Sequence, residues 1–181
     1  MAQNQRMTIE HQPFYCEENV YRLAGRADLI RHPAEVVFVS NPRRQVACWH
    51  QRAAPPGEPL VWDYHVVLLE RAASGPALWD LDTRLGAPIP AALWVAETFQ
   101  DPSWVRAPFH PRFRVAPTSL FLATFATDRS HMRVGTRWRR PPPAWDPPGA
   151  PGMNLDAWID TTTAGPGLVF DRAGFLAHIQ G

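Results

Sequence analysis

Apolar and polar positions recur along the chain with two different periods, and the change of period marks out its elements. In CEENVYRLAGRADLIRH, Val20, Leu23, Ala24, Ala27 and Ile30 recur at spacings of three and four, which predicts an amphipathic helix ending near His32 and Pro33. Glu17 and Glu18 fall in its first turn, where carboxylates suit the positive end of the helix dipole, so Cys16 stands at or beside a helix N-terminus. The β-branched run EVVFVS predicts a buried strand, and Asn41-Pro42 a turn that returns the chain through QVACWH as a hairpin partner.

After the loop AAPPGEP, LVWDYHVVLLE gives the strongest strand pattern, and Ser74-Gly75-Pro76 turns the chain into ALWDLD as its partner. ALWVAETF reads as a short helix, RFRV as a strand, and TSLFLATFA as a helix capped by Thr118 or Ser119. GLVF is a further strand and RAGFLAHI a closing helix capped by Asp171. A helix followed mainly by strands points to an α+β fold. Residues 139–152, RRPPPAWDPPGAPG, are too rich in proline for regular structure and read as a rigid surface strap.

Length and charge narrow the picture. The chain of 181 residues suffices for one core, which we place at 13–181, behind a polar and flexible segment at 1–12. Its 18 basic side chains, all arginine, face 17 acidic ones without a block of either sign, which argues against nucleic acid or an anionic membrane as partner. No run approaches the ~20 apolar residues of a membrane helix, and the first dozen residues lack the apolar centre of a signal peptide. A cytoplasmic, monomeric protein is the expectation, and in that compartment Cys16 and Cys48 are free thiols.

Cys16 is the thiol placed for chemistry, because a helix N-terminus and a neighbouring imidazole both favour a thiolate. Cys48, between Ala47 and Trp49 in an apolar strand, fits an inert core residue. His65 lies mid-strand in WDYHVVLLE, and the hairpin brings WDLD back opposite it. A loop of two residues pairs His65 with Asp80 and a loop of four pairs it with Asp82; both aspartates share one face because side chains alternate. The result is a cysteine, histidine and carboxylate set with the logic of the serine triad. In DRSHM, Asp128, Ser130 and His131 match no metal-site spacing, and no metal or cofactor is expected. Trp49, Trp62, Trp79 and Trp94 read mainly as core. A Gly-rich phosphate loop, a CxxC pair and a GxSxG elbow are all absent from the sequence.

The segments YCEENVYRL, VFVSN, VWDYHVVLLE, LWDLDT, RFRV, FATDRSHM, RRPPP and MNLDAWI resemble, in the same order, those of the protein N-terminal glutamine amidohydrolase family, from about residue 13 to the last helix. The resemblance implies a papain- and transglutaminase-like scaffold and an enzyme that converts an N-terminal glutamine of a protein or peptide to glutamate with loss of ammonia. It implies Cys16 as nucleophile, His65 as base, and the first aspartate of DLD, Asp80, as the third member. A short extension before Phe14 and a different proline-rich filler after the PPP stretch depart from the family pattern and bear on which peptides fit. Recognising a free α-ammonium calls for carboxylates or carbonyls, and Glu17, Glu18, Asp63 and Asp128 are the candidates, with Ser130 beside the last. The rival readings are a transglutaminase-like or internal-glutamine deamidase, and a non-enzymatic reader of N-termini.

Overall fold

The longest β-branched runs lie at the centre of the fold, in a computed structural model that describes residues 9–149 and 151–181. The elements run α1 (Cys16–Ala24), β1 (Ala34–Ser40), β2 (Val46–Cys48), β3 (Leu60–Trp62), β4 (His65–Ala72), β5 (Gly75–Trp79) and β6 (Ile89–Pro90). They continue as α2 (Ala91–Thr98), β7 (Arg112–Pro117), α3 (Thr118–Thr124), β8 (Arg133–Val134), β9 (Arg137–Trp138), α4 (Leu155–Ile159), β10 (Leu168–Phe170) and α5 (Arg172–Gln180). Six strands form one sheet in the order β10-β7-β1-β4-β5-β6, every pairing antiparallel. The fold is α+β. Among the described residues no helix is long and apolar enough to cross a membrane.

Both faces of this sheet are covered, which explains why β1 and β4 are apolar without alternation. Val36 and Phe38 of β1, with Val66 and Leu68 of β4, face a cluster that includes Cys16, Val20 and Leu23 of α1, Phe121 of α3 and Trp158 of α4. Val37, Val39, Val67 and Leu69 face the opposite cluster with Trp94 of α2, Phe175 and Ile179 of α5, and Cys48. The two cysteines therefore lie in different cores.

Several boundaries differ from the pattern-based expectation. Helix α1 ends at Ala24 because Gly25 closes it, and residues 26–30 form turns in which the N–H groups of Leu29 and Ile30 donate to the Arg26 carbonyl. The expected β1-β2 hairpin does not form: β1 pairs with β4 and β7, whereas β2 pairs with β3 in a separate two-stranded sheet. LVWDYHVVLLE is not one strand but two, bent at Asp63-Tyr64, where the Ser40 hydroxyl holds the Asp63 carbonyl at 2.6 Å. Thr118 is not a cap, since its hydroxyl donates to the Ala34 carbonyl and Pro117 precedes the first turn. Asp171 does cap α5, accepting the Gly174 N–H at 2.8 Å.

Of the segment expected to be flexible, residues 1–8 lie outside the described residues. Residues 9–12 run along α1: Ile9 packs on the core, and Gln12 and Asn19 exchange two 2.8 Å hydrogen bonds. Trp158 closes the α1 face, with Phe38 and Phe121 at ring-centroid distances of 5.4 and 5.2 Å. Trp158→Ala is expected to lower stability by about 3–5 kcal/mol, read as a shifted urea midpoint at unchanged slope.

Candidate active site

Helix α1 packs across the start of β4, so the first residue of each element comes to one place. Cys16 is buried there, and its sulfur accepts the backbone N–H of Val66, the residue after His65. His65 is also buried, with its ring stacked on Trp62 at 5.5 Å and nearly parallel. Its Nε2 lies 2.9 Å from Asp80 Oδ1, while Nδ1 has no partner among the described residues.

The route by which Asp80 reaches His65 was not the expected one. Ala73 and Ser74 join β4 to β5 with Ala72 opposite Gly75, a register that, continued, would set His65 opposite Asp82. The ladder stops at Leu68 opposite Trp79, and beyond it Asp80 Oδ1 accepts the Asp82 N–H at 3.0 Å in a turn. That turn redirects Asp80 to the imidazole. Asp82 instead meets His11 Nε2 at 2.8 Å.

Asp80 is satisfied on both oxygens. Oδ1 takes His65 and the Asp82 N–H, and Oδ2 takes Trp94 Nε1 at 3.0 Å and Gln51 Nε2 at 3.3 Å. Burial pushes its pKa up, but His65 and the other donors outweigh burial and hold it below the usual carboxylate value. For His65, burial pulls the pKa down, and the Asp80 carboxylate, with Asp82 and Glu17 behind it, raises it above the ordinary imidazole value. His65, Asp80 and Asp82 offer ligand atoms within 4.8 Å of one another, a spacing a cation could use. Those atoms already bond each other or His11.

The Cys16 thiol departs from the simple helix-start expectation. Burial pushes its pKa well up, the Glu17 and Asp82 carboxylates add to this, and the Val66 N–H only partly opposes them. The surroundings of Cys16 thus favour the thiol over the thiolate.

The two glutamates after Cys16 are both fully buried and have different fates. Glu18 is held by Arg129, whose Nε and Nη2 each lie 2.7 Å from a different carboxylate oxygen, and by Trp145 Nε1 at 2.9 Å. Glu17 accepts the Tyr64 hydroxyl at 3.0 Å, and Tyr64 remains a donor because burial pushes its phenol well up. A cleft of about 670 Å³ opens over Cys16, lined also by Asp63, Tyr64, Ser130, His131 and Arg140. Asp63 and Ser130 thus reach the cleft. Exposed Asp128 accepts the Ser130 N–H at 2.8 Å and orders the turn.

Sequence reasoning did not single out Arg129, Tyr64, Gln51 or His11. Arg129 carries no pattern, since it is one of many arginines. Its role depends on a contact across 111 positions with Glu18. Tyr64 sits in a break between two strands that looks like continuous strand, and Gln51 forms an isolated bridge with Thr83 just past the QVACWH run.

Two outcomes test this arrangement. Arg129→Met leaves Glu18 buried without its partner and is expected to destabilise the chain by about 3–5 kcal/mol in chemical denaturation. His65 accepts a proton only when neutral, and its pKa is raised, so the acid limb of a rate profile that depends on it lies above the ordinary ~6.5. Asp80→Asn removes the group that raises it and moves that limb to lower pH.

Residues 11–179 match the sequence model of a family described as N-terminal glutamine amidase. A Danio rerio relative named protein N-terminal glutamine amidohydrolase is 38% identical over 173 residues, covering 91% of this chain and 86% of the relative. Proteins of the same name from Arabidopsis thaliana and Homo sapiens are 40% and 36% identical over 150 and 170 residues. These alignments cover 77% and 89% of this chain, and 68% and 83% of the respective relatives.

Proposed function

The chain belongs to the N-terminal glutamine amidase family, and from that premise we propose that it converts the N-terminal glutamine of a protein or peptide to glutamate through a thioester on Cys16. The observation that carries the mechanism is His65, bonded to buried Asp80 through Nε2, with an Nδ1 that has no partner among the described residues, next to the residue whose N–H holds the Cys16 sulfur.

In this mechanism the Cys16 sulfur attacks the side-chain amide carbon as its proton passes to His65 Nδ1. Asp80 fixes the ring's orientation and stabilises the imidazolium. The N–H groups of Cys16 and Glu17 lie in the first turn of α1, where N–H groups lack intrahelical acceptors, and are the donors available to the oxygen that becomes negative. His65 returns the proton to the amide nitrogen, the C–N bond breaks, and ammonia leaves a thioester. Water then gives a proton to His65 and attacks the same carbon, and the released sulfur recovers the proton. The helix-bearing nucleophile packed on an antiparallel sheet is consistent with a papain- and transglutaminase-like scaffold. The protein is read as a cytoplasmic monomer of one catalytic domain.

Ammonia release from a glutamine-initiated peptide, its N-acetylated form and an internal-glutamine peptide tests the reading. Only the first is expected to react; equal rates on the acetylated form point to an internal-glutamine deamidase or transglutaminase-like enzyme. Cys16→Ala is expected to lower kcat by roughly a million-fold, leaving a binder without turnover, while Cys48→Ala stays near wild type because Cys48 lies in the other core.

A further inference from the structure

What separates an N-terminal glutamine from an internal one is a cation, so the site needs an anionic place for it near the sulfur. Two of the four carboxylates suggested by sequence are accounted for: Glu18 is bound by Arg129, and Asp128 is turned into its own loop. The other two flank Cys16. Asp63 lines the cleft, is exposed, accepts a 3.0 Å hydrogen bond from the Tyr64 N–H, and stands in no ion pair among the described residues. Glu17 Oε2 lies 3.8 Å from the Cys16 sulfur. Glu17 Oε1 is buried and has no hydrogen-bond partner among the described residues, since His131 Nε2 stands 3.6 Å away. An unpartnered buried carboxylate oxygen is a cost that a bound cation relieves.

Building on the deamidase reading, we propose that the α-ammonium of an N-terminal glutamine docks in the acidic corner formed by Asp63 and Glu17 beside Cys16. The same cation is the positive charge against which the thiolate forms. Asp63 makes the direct contact at the cleft surface, and Glu17 supplies the second carboxylate from beneath.

The dimensions fit. Four single bonds separate the amide carbon of glutamine from its α-nitrogen, a reach of about 5 Å at ordinary bond lengths. With that carbon about 3–3.5 Å from the sulfur, the ammonium comes within hydrogen-bonding range of carboxylates adjoining the sulfur. Tyr64 joins the two acids, its N–H to Asp63 and its hydroxyl to Glu17, with His131 Nε2 3.1 Å from that hydroxyl.

Charge supports the second half of the inference. The groups around the sulfur are Glu17 on α1, Asp63, Tyr64 and His65 at the start of β4, Asp82 with His11, and His131 across the cleft. Three of them are carboxylates that oppose ionisation of the thiol. A cation between two of these weakens that opposition while the substrate is seated, leaving burial and Asp82 to oppose ionisation. The ammonium keeps its own protons throughout; the thiol proton still goes to His65.

The test compares ammonia release from a glutamine-initiated peptide and from an identical peptide lacking the α-amino group. Wild type is expected to favour the first, largely through kcat. Asp63→Asn retains an acceptor for the Tyr64 N–H and is expected to reduce the ratio of the two kcat/KM values by roughly 100-fold. In the substrate-free variant, Cys16 should react faster with iodoacetamide, because one carboxylate is gone. A merely structural role for Asp63 would slow both peptides together and would not speed alkylation. Glu17→Gln is expected to reduce the same ratio, and exposed Asp63 carries the test by itself if the buried substitution prevents folding. An unchanged ratio in Asp63→Asn, with wild type active on the glutamine peptide, overturns the acidic corner alone. A wild type that releases no ammonia from that peptide overturns the deamidase reading beneath it.

Discussion

A fully buried carboxylate is tolerated only when its oxygens are hydrogen-bonded, and Asp80 meets that condition with donors from four parts of the chain. His65 comes from the start of β4, Trp94 from α2, Gln51 from the segment after β2, and the Asp82 N–H from the turn after β5. Moving any of these elements strips a donor from a charge that water cannot reach. The placement of His65 and the packing of α2 against β5 therefore depend on the same group. Trp62, which stacks on His65 and donates to Gln51 Oε1 at 3.2 Å, extends this network to the smaller sheet.

The opposite wall of the cleft depends on a second buried charge. Glu18 holds Arg129, which adopts a left-handed backbone conformation at φ 62°, unusual for a residue with a β-carbon. Arg129 also donates to the Trp145 carbonyl at 2.7 Å, and Trp145 returns a bond to Glu18. The proline-rich stretch is tied to α1 through this exchange. The turn carrying Ser130 and His131 is placed over Cys16 by the same ion pair, so the helix that carries Cys16 also fixes the cleft above it.

How much of this was legible in the sequence depended on whether the determining contact was local. The α1 start, the β1 and β4 runs, α2 and the Asp171 cap are set by periodicity and neighbouring residues, and each was readable. Pairing was not: EVVFVS and QVACWH look like a hairpin, yet β1 finds β4 and β7 because those offer longer partners along its two edges. Spacing left Asp80 and Asp82 undecided, and the strand register by itself would have chosen Asp82. Only the turn beyond Trp79 reverses that choice, and its Asp80-to-Asp82 bond looks in sequence like any acidic loop. Trp62 and Trp94 read as core tryptophans but hold His65 and Asp80, because an indole contributes both a flat face and an N–H donor.

Glu17 and Glu18 show why adjacent residues of one type need separate accounts. Both lie in the first turn of α1, where the helix dipole favours them, and both are fully buried. About 100° of helical rotation separates their side chains, and that turns one toward Arg129 and the other toward Tyr64 and the sulfur. Glu18 is neutralised within the fold and serves its stability. Glu17 has a hydroxyl donor and His131 at 3.6 Å but, among the described residues, no arginine, and its carboxylate disfavours ionisation of the thiol. A fold selected for stability alone would pair both. Leaving the one nearest Cys16 with only His131 at 3.6 Å, and no arginine among the described residues, keeps beside the thiol a carboxylate that an incoming cation can pair with.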